Sequence, residues 1–166
     1  MKRIVIVGAT SGIGLEVAKL CIREGWRVGA AGRREEALEA LRATAPEQVE
    51  TEPLDITRDD APGQLARLID KLGGMDIYLH CSGIGKRNTG LLPEIELDTL
   101  RTNGEGFVRM VRRLRLFPGQ RRRAPGRHQF DRRHQRTRQR TGLLGDQTHA
   151  EHLHRRTVAV GAYGET

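Results

Sequence analysis

"RIVIVGATSGIGLEVAKLC", residues 3–21, decides the fold. Residues 3–7 form a short, continuous, mostly β-branched run, which predicts a central parallel strand buried on both faces. Gly8, Gly12 and Gly14 then share one turn, "GATSGIG". Over residues 13–24 the apolar positions recur at helical spacing, with Ile13, Val17, Leu20 and Cys21 expected on one buried face and Gly25 closing the helix. Strand, glycine turn and helix in that order suit a phosphate. The chain must reverse tightly and the backbone must approach a pyrophosphate, while the first helical N–H groups and the macrodipole favour negative charge. The turn therefore predicts dinucleotide binding through Gly8, Thr10, Ser11, Gly12, Ile13 and Gly14; the alternative is a tight βα turn without a ligand.

The alternation continues downstream. "WRVGAAG" (26–32) predicts a second strand and "REEALEALRATA" (34–45) a helix with acidic residues in its first turn. "VETEPLD" (49–55) predicts a third strand. "RDDAPGQLARLIDKLG" (58–73) reads as a helix turning Leu65, Leu68, Ile69 and Leu72 inward, and "MDIYLHCSG" (75–83) as a fourth strand. Residues 94–111 read as a fourth helix. Strand and helix alternating four times predict an α/β fold, a Rossmann-type doubly wound parallel sheet of about four strands with helices on both faces. The pattern stops near Val111. The expected division is a dinucleotide-binding domain over 1–111 and an irregular, arginine-rich tail over 112–166.

Charge divides at the same place. Residues 1–111 carry 15 Lys and Arg against 17 Asp and Glu, whereas 112–166 carry 14 against 4, and all fourteen are arginine. Such asymmetry ordinarily points to an acidic partner, nucleic acid above all. The tail lacks the helical charge patterning and interleaved aromatics of a nucleic-acid arm, so a nucleic-acid partner is disfavoured, and a solvated, disordered segment is expected over most of 112–156. Cys21 and Cys81 sit in apolar runs and read as small buried thiols, with no metal-ligand or disulfide spacing. The start has neither the form of a secretory signal nor the length of a membrane span, which leads to the expectation of a cytoplasmic protein with no membrane association.

The end of the second strand separates the two nicotinamide cofactors. An acidic side chain there suits the ribose 2′-hydroxyl of NAD, and an arginine suits the 2′-phosphate of NADP. Here Gly32 stands where the acid would be, followed by Arg33 and Arg34. A guanidinium pairs bidentately with phosphate, so NADP is predicted over NAD. The alternative is two solvated arginines at a helix start.

Together these residues resemble the short-chain dehydrogenases/reductases. The likeness covers 1–111 and rests on the spacing of Gly8, Gly12 and Gly14 with Ile13 between the last two. It extends to "LDIT", where Asp55 and Ile56 fall at the family's adenine contact. In "HCSGIG", Cys81, Ser82 and Gly83 stand in the family's Asn-Asn-Ala-Gly, of which only the glycine is kept. In "TNGEGF", Asn103 matches the family's asparagine that organises a proton-relay water. The resemblance implies an oxidoreductase acting on a small carbonyl or alcohol, with homo-oligomers among intact relatives. It also implies a serine, a tyrosine and a lysine four residues after the tyrosine, to orient the carbonyl, act as general acid/base and lower the tyrosine pKa. This chain lacks that set. Its tyrosines are Tyr78 and Tyr163, no lysine follows Lys86, and no serine follows Ser82.

The tail's arginine, glycine, histidine and glutamine without lysine are what a GC-rich gene gives out of register. Back-translated and read one base later, 142–148 permits Ala-Tyr-Ser-Ala-Thr-Lys, and "GRHQFDRR" (126–133) permits Ala-Ala-Ile-Ser-Ser-Ile-Ala-Gly. The shifted serine begins in the codon of Phe130 and the shifted tyrosine in that of Leu143, the separation of 13 that the family requires. The expectation is a frame shift near codons 109–113. Three functions follow as candidates: an NADP-dependent oxidoreductase whose catalytic half is corrupted in this chain, an inactive NADP-binding module, and a nucleic-acid-binding protein with an arginine-rich arm. Loss of the serine-bearing strand is expected to leave the fourth strand as an exposed apolar edge and the chain poorly stable.

Overall fold

β1 (Arg3–Val7) runs through the sheet interior, with β2 (Arg27–Gly32) on one side and β4 (Ile77–His80) on the other. The computed structural model describes residues 1–114 and the backbone of 157–159. β3 (Val49–Pro53) flanks β2, and β5 (Thr157–Ala159) flanks β4, giving the order β3-β2-β1-β4-β5 with every pair parallel. Val5 lies opposite Gly29 on one side and Tyr78 on the other, so all four residues of the run Ile4–Val7 are interior, as a two-sided strand requires.

The connections are α1 (Gly12–Arg23), α2 (Glu35–Thr44), α3 (Ala61–Lys71) and a longer helical stretch. That stretch comprises α4 (Pro93–Leu100), a π-helical turn (Arg101–Gly106) and α5 (Phe107–Leu114). α1 and α2 cover one face, where Ala18, Cys21, Leu38 and Leu41 pack on Ile4, Ile6 and Leu79. α3 and α5 cover the other, where Leu65, Leu68, Leu72, Met110 and Leu114 pack on Val5, Val7 and Tyr78. The sheet is doubly wound, as expected. Leu65, Leu68, Ile69 and Leu72 are all buried, each worth about 1.5–3 kcal/mol of burial. At the β3 edge Glu52 is buried and anchors α3 by ion pairs to Arg67 at 2.9 Å and Lys71 at 2.7 Å.

Several expectations need correction. On α1 the buried residues are Gly14, Ala18 and Cys21, whereas Ile13 and Leu20 are about half exposed. The innermost stripe of α1 runs through Gly14, Ala18 and Cys21, with Leu15, Val17 and Ile22 packed partly buried beside it. The fourth strand ends at His80 rather than Gly83, because residues 81–88 leave the ladder to form the wall of a crevice. The predicted helix over 94–111 reaches Leu114 and contains the π-helical turn. β4 is not a bare edge: Tyr78, Leu79 and His80 pair with Thr157, Val158 and Ala159, so a three-residue fifth strand joins the four expected. Cys21 is buried as expected, but Cys81 is only partly so. The tail's expected disorder and the frame-shifted positions, with Phe130 and Leu143, lie outside the described residues.

Candidate cofactor site

The carboxyl ends of the strands meet at the switch point, where α1 follows β1 to one face and the chain beyond β4 passes to the other. Ligands of open α/β sheets bind in that crevice. Its floor is the glycine turn. Gly8 and Ala9 both donate their N–H to the Ala31 carbonyl, at 2.8 and 3.0 Å, pinning the turn to the end of β2. Gly8 has φ +94°, and a Cβ there would lie 2.6 Å from the backbone of Cys81 and Ser82. Both the conformation and the space demand glycine. A Cβ on Gly14 would come 2.1 Å from the Gly8 carbonyl oxygen, so α1 is seated directly on the turn.

Gly12 is the exception that defines the site. It opens α1 with φ +53°, and nothing stands within 4 Å of where its Cβ would be. Ser11 takes the N-cap position without a side-chain cap bond. The first turn of α1 therefore faces open space with its N–H groups uncapped by any side chain, a cradle that suits a pyrophosphate. Ile13 stands at the rim, which accounts for its exposure.

The second wall follows β2 and β3. Arg33 and Arg34 are both exposed, and Arg34 reaches back to Thr10, donating to its carbonyl at 3.0 Å and its hydroxyl at 3.2 Å. Asp55 accepts from the Thr57 N–H at 3.0 Å and the Thr57 hydroxyl at 2.7 Å. Partial burial works against the Asp55 charge, but those two bonds and the nearby Arg33 and Arg58 outweigh it and hold the carboxyl below its ordinary value. Ile56 is a core residue, its side chain packed where the π-helical turn presents Gly106.

The third wall is the segment after β4. The Cys81 N–H donates to the Val7 carbonyl at 2.7 Å, carrying the chain past the glycine turn toward Ser82 and Gly83. Burial pushes the Cys81 thiol above its ordinary pKa, which disfavours a thiolate. Asn103, in the π-helical turn, brackets Ile84: its Oδ1 accepts from the Ile84 N–H at 2.8 Å and its Nδ2 donates to the Ile84 carbonyl at 2.7 Å. The amide is thus engaged in bracing the wall. π-Helical turns recur at functional sites because they re-aim a helix locally. Beneath the wall, the Tyr78 hydroxyl lies 2.8 Å from His80 Nδ1, and the His80 ring meets Phe107 edge-on at 5.1 Å. Burial pushes His80 down to about 4, against the opposing pull of the Ser82 backbone, and raises Tyr78 above the ordinary phenol range. Tyr78 is therefore a core residue, not an acid/base group at the crevice.

The structure brings Gly8 against Gly14, Cys81 and Ser82, Thr10 against Gly32 and Arg34, Arg33 near Asp55, and Asn103 against Ile84, whereas Ile56 is in the core. Three supports beneath these residues were not anticipated from sequence: the Ala31 carbonyl, Ile84, and the buried Tyr78–His80 pair. Only the last had a signal, since residues two apart on a strand share a face. Among the described residues no group of His, Cys, Asp and Glu stands in metal-binding geometry, and no helix is long and apolar enough to cross a membrane.

A parallel, doubly wound sheet with an uncapped glycine turn at its switch point defines a Rossmann-type nucleotide-binding fold. The sequence profile of the short chain dehydrogenase family matches residues 2–122. The chain belongs to that family. Serine 3-dehydrogenase of Agrobacterium fabrum is 38% identical over 100 residues, 60% of this chain and 40% of that protein. The closed form of serine dehydrogenase complexed with NADP+ superposes with a TM-score of 0.59 at 29% identity, over 66% of this chain and 46% of that one. A 3-ketoacyl-(acyl-carrier-protein) reductase from Brucella melitensis complexed with NADH gives 0.63 at 26% identity, over 68% and 48%. The chain spans less than half the length of each of these proteins.

Proposed function

We propose that this chain is the cofactor-binding half of an NADP(H)-dependent oxidoreductase acting on a small carbonyl or alcohol. The observation that carries the cofactor choice is the end of β2, where Gly32 is followed by the exposed Arg33 and Arg34. Bound NADP(H) would exchange a hydride with the substrate carbon. Among this chain's residues, the Gly8–Gly14 turn and the α1 N-terminus would hold the pyrophosphate, and Arg33 would meet the 2′-phosphate, with Arg34 beside it on the turn. Asp55 would border the adenine, and Ser82, Gly83 and the Asn103-braced loop would wall the nicotinamide side. Ile56 would support the adenine pocket from behind.

Titration of NADPH and NADH fluorescence with the purified chain tests this. NADPH should bind about tenfold or more tightly than NADH, and Arg33→Ala should remove most of that difference. Equal affinities, or no weakening of NADPH by Arg33→Ala, refute the cofactor assignment. The chain carries no Tyr-x-x-x-Lys, so binding should occur without turnover of any carbonyl or alcohol, followed as absorbance of the reduced nicotinamide. The name of the Agrobacterium relative makes serine the first alcohol to assay. Turnover would require a proton-transfer group other than the family's tyrosine. We further propose that 112–166 is read out of register after a shift near codons 109–113; resequencing the gene tests it, and the absence of any frame encoding Tyr-x-x-x-Lys refutes it.

A further inference from the structure

Thr10 and Gly32 are 22 residues apart in sequence, yet each leaves the other no room. A Cβ on Gly32 would stand 2.7 Å from Thr10 Cγ2 and 3.3 Å from Thr10 Oγ1. Neither partner yields easily. The Gly32 carbonyl accepts from the Leu54 N–H at 2.8 Å, and Gly32 is in register with Pro53, so its backbone is held in the sheet. Thr10 sits on the turn that Gly8 and Ala9 bond to Ala31. Its side chain is held in turn by Arg34, whose Nη2 donates to the Thr10 carbonyl at 3.0 Å and hydroxyl at 3.2 Å, with Nε 3.4 Å from the hydroxyl. Rotating Thr10 away from residue 32 would break those hydroxyl contacts.

We propose that Thr10, latched by Arg34, is a specificity-determining residue: it fills the space over Gly32 and so excludes a carboxylate from the end of β2. The inference rests on the NADP(H) reading above and divides the two arginines. Arg33, beside Asp55 and making no hydrogen bond to the turn, meets the 2′-substituent. Arg34 acts through Thr10 and is a positioning residue, holding the turn for whichever dinucleotide binds. The two methyl-versus-hydroxyl roles of Thr10 are separable. Serine keeps the oxygen that Arg34 holds but lacks the Cγ2 that collides, whereas valine keeps the bulk and loses the hydroxyl.

The test is NADPH and NADH affinity of the full 166-residue chain, measured by fluorescence titration, with circular-dichroism melts to verify folding of each variant. Arg34→Ala should weaken both cofactors by the same factor, about three- to tenfold for lost hydrogen bonds to the turn, leaving their ratio unchanged; Arg33→Ala should collapse the ratio. Gly32→Asp alone should weaken NADPH without strengthening NADH. In the Thr10→Ser background the same substitution should bind NADH more tightly than NADPH, and in the Thr10→Val background it should not. The latch is overturned if Gly32→Asp alone gains NADH as fully as the double variant, or if Arg34→Ala weakens NADPH only. If Gly32→Asp does not fold, failure of Thr10→Ser to rescue its melt overturns the steric argument, and rescue supports it. A wild-type chain that prefers NADH overturns the functional reading; a wild-type preference for NADPH without these variant effects overturns the latch alone.

Discussion

His80 should make this protein acid-sensitive through one buried group. Its imidazole is 4% exposed, lies against Tyr78 and Phe107, and leaves Nε2 without a partner among the described residues. Burial pushes its pKa to about 4 in the folded chain, against an ordinary 6.5 that the unfolded chain recovers. A depressed folded pKa means that the unfolded state binds the proton first. Stability is therefore full above pH 6.5 and falls as the pH drops toward 4. Linkage between those two values gives a loss of about 2 kcal/mol from pH 7.5 to 5.0, approaching 3 kcal/mol at lower pH. Urea denaturation at the two pH values measures it, provided the slopes agree. His80→Asn is the comparison, because an asparagine amide can still pair with the Tyr78 hydroxyl but does not titrate. That variant should be less stable at every pH, yet lose about 2 kcal/mol less on acidification. The other five histidines, all beyond residue 114, are common to both proteins and cancel in the difference. Identical acid sensitivity in the two proteins refutes the reasoning.

Asn103→Ala removes both bonds to Ile84 and strands a backbone N–H and a carbonyl; a loss of about 1–3 kcal/mol is expected by urea denaturation. Leu is no better a replacement there, whereas Asn103→Asp should retain the bond to the Ile84 N–H and recover part of the loss. Gly14→Ala places a Cβ against the Gly8 carbonyl, which no rotamer change relieves. It should destabilise the chain by about 1–3 kcal/mol or more and abolish NADPH binding, whereas Gly63→Ala, with open space around it, should stabilise or leave the melt unchanged.

The parts of the molecule read correctly from sequence are those in which one physical rule acts alone. Residues 4–7 are apolar on both sides and interior on both sides, and Leu65, Leu68, Ile69 and Leu72, on α3 and its C-cap, follow helical spacing without competition. α1 failed because two rules conflict. Hydrophobicity favours burying Ile13 and Leu20, but the close seating of Gly14 on the Gly8 carbonyl turns the Gly14–Ala18–Cys21 stripe inward, which leaves Ile13 and Leu20 on the outer side. The π-helical turn was not legible because its cause is distant: Asn103 is drawn to Ile84, and Gly106 must fit against Ile56. The glycine turn was legible as a phosphate cradle, since strand, glycines and helix are contiguous. The partner of Arg34, 24 residues back in the chain, was not.

β5 raises a different point about local and global signals. A sheet strand needs little more than a short β-prone run able to complete a ladder, and "TVA" supplies one beside Tyr78–His80. Ladder pairing is indifferent to side-chain chemistry, so backbone complementarity can seat a strand on β4 whether or not it brings a catalytic serine with it. The cofactor crevice depends on the carboxyl ends of β1, β2 and β4, all of which precede residue 81. Covering the β4 edge therefore protects the nucleotide site without restoring chemistry. For that reason the separation of binding from turnover is the measurement that discriminates: cofactor affinity reports residues 1–114, and catalysis would have to come from groups this chain does not place in the family's pattern.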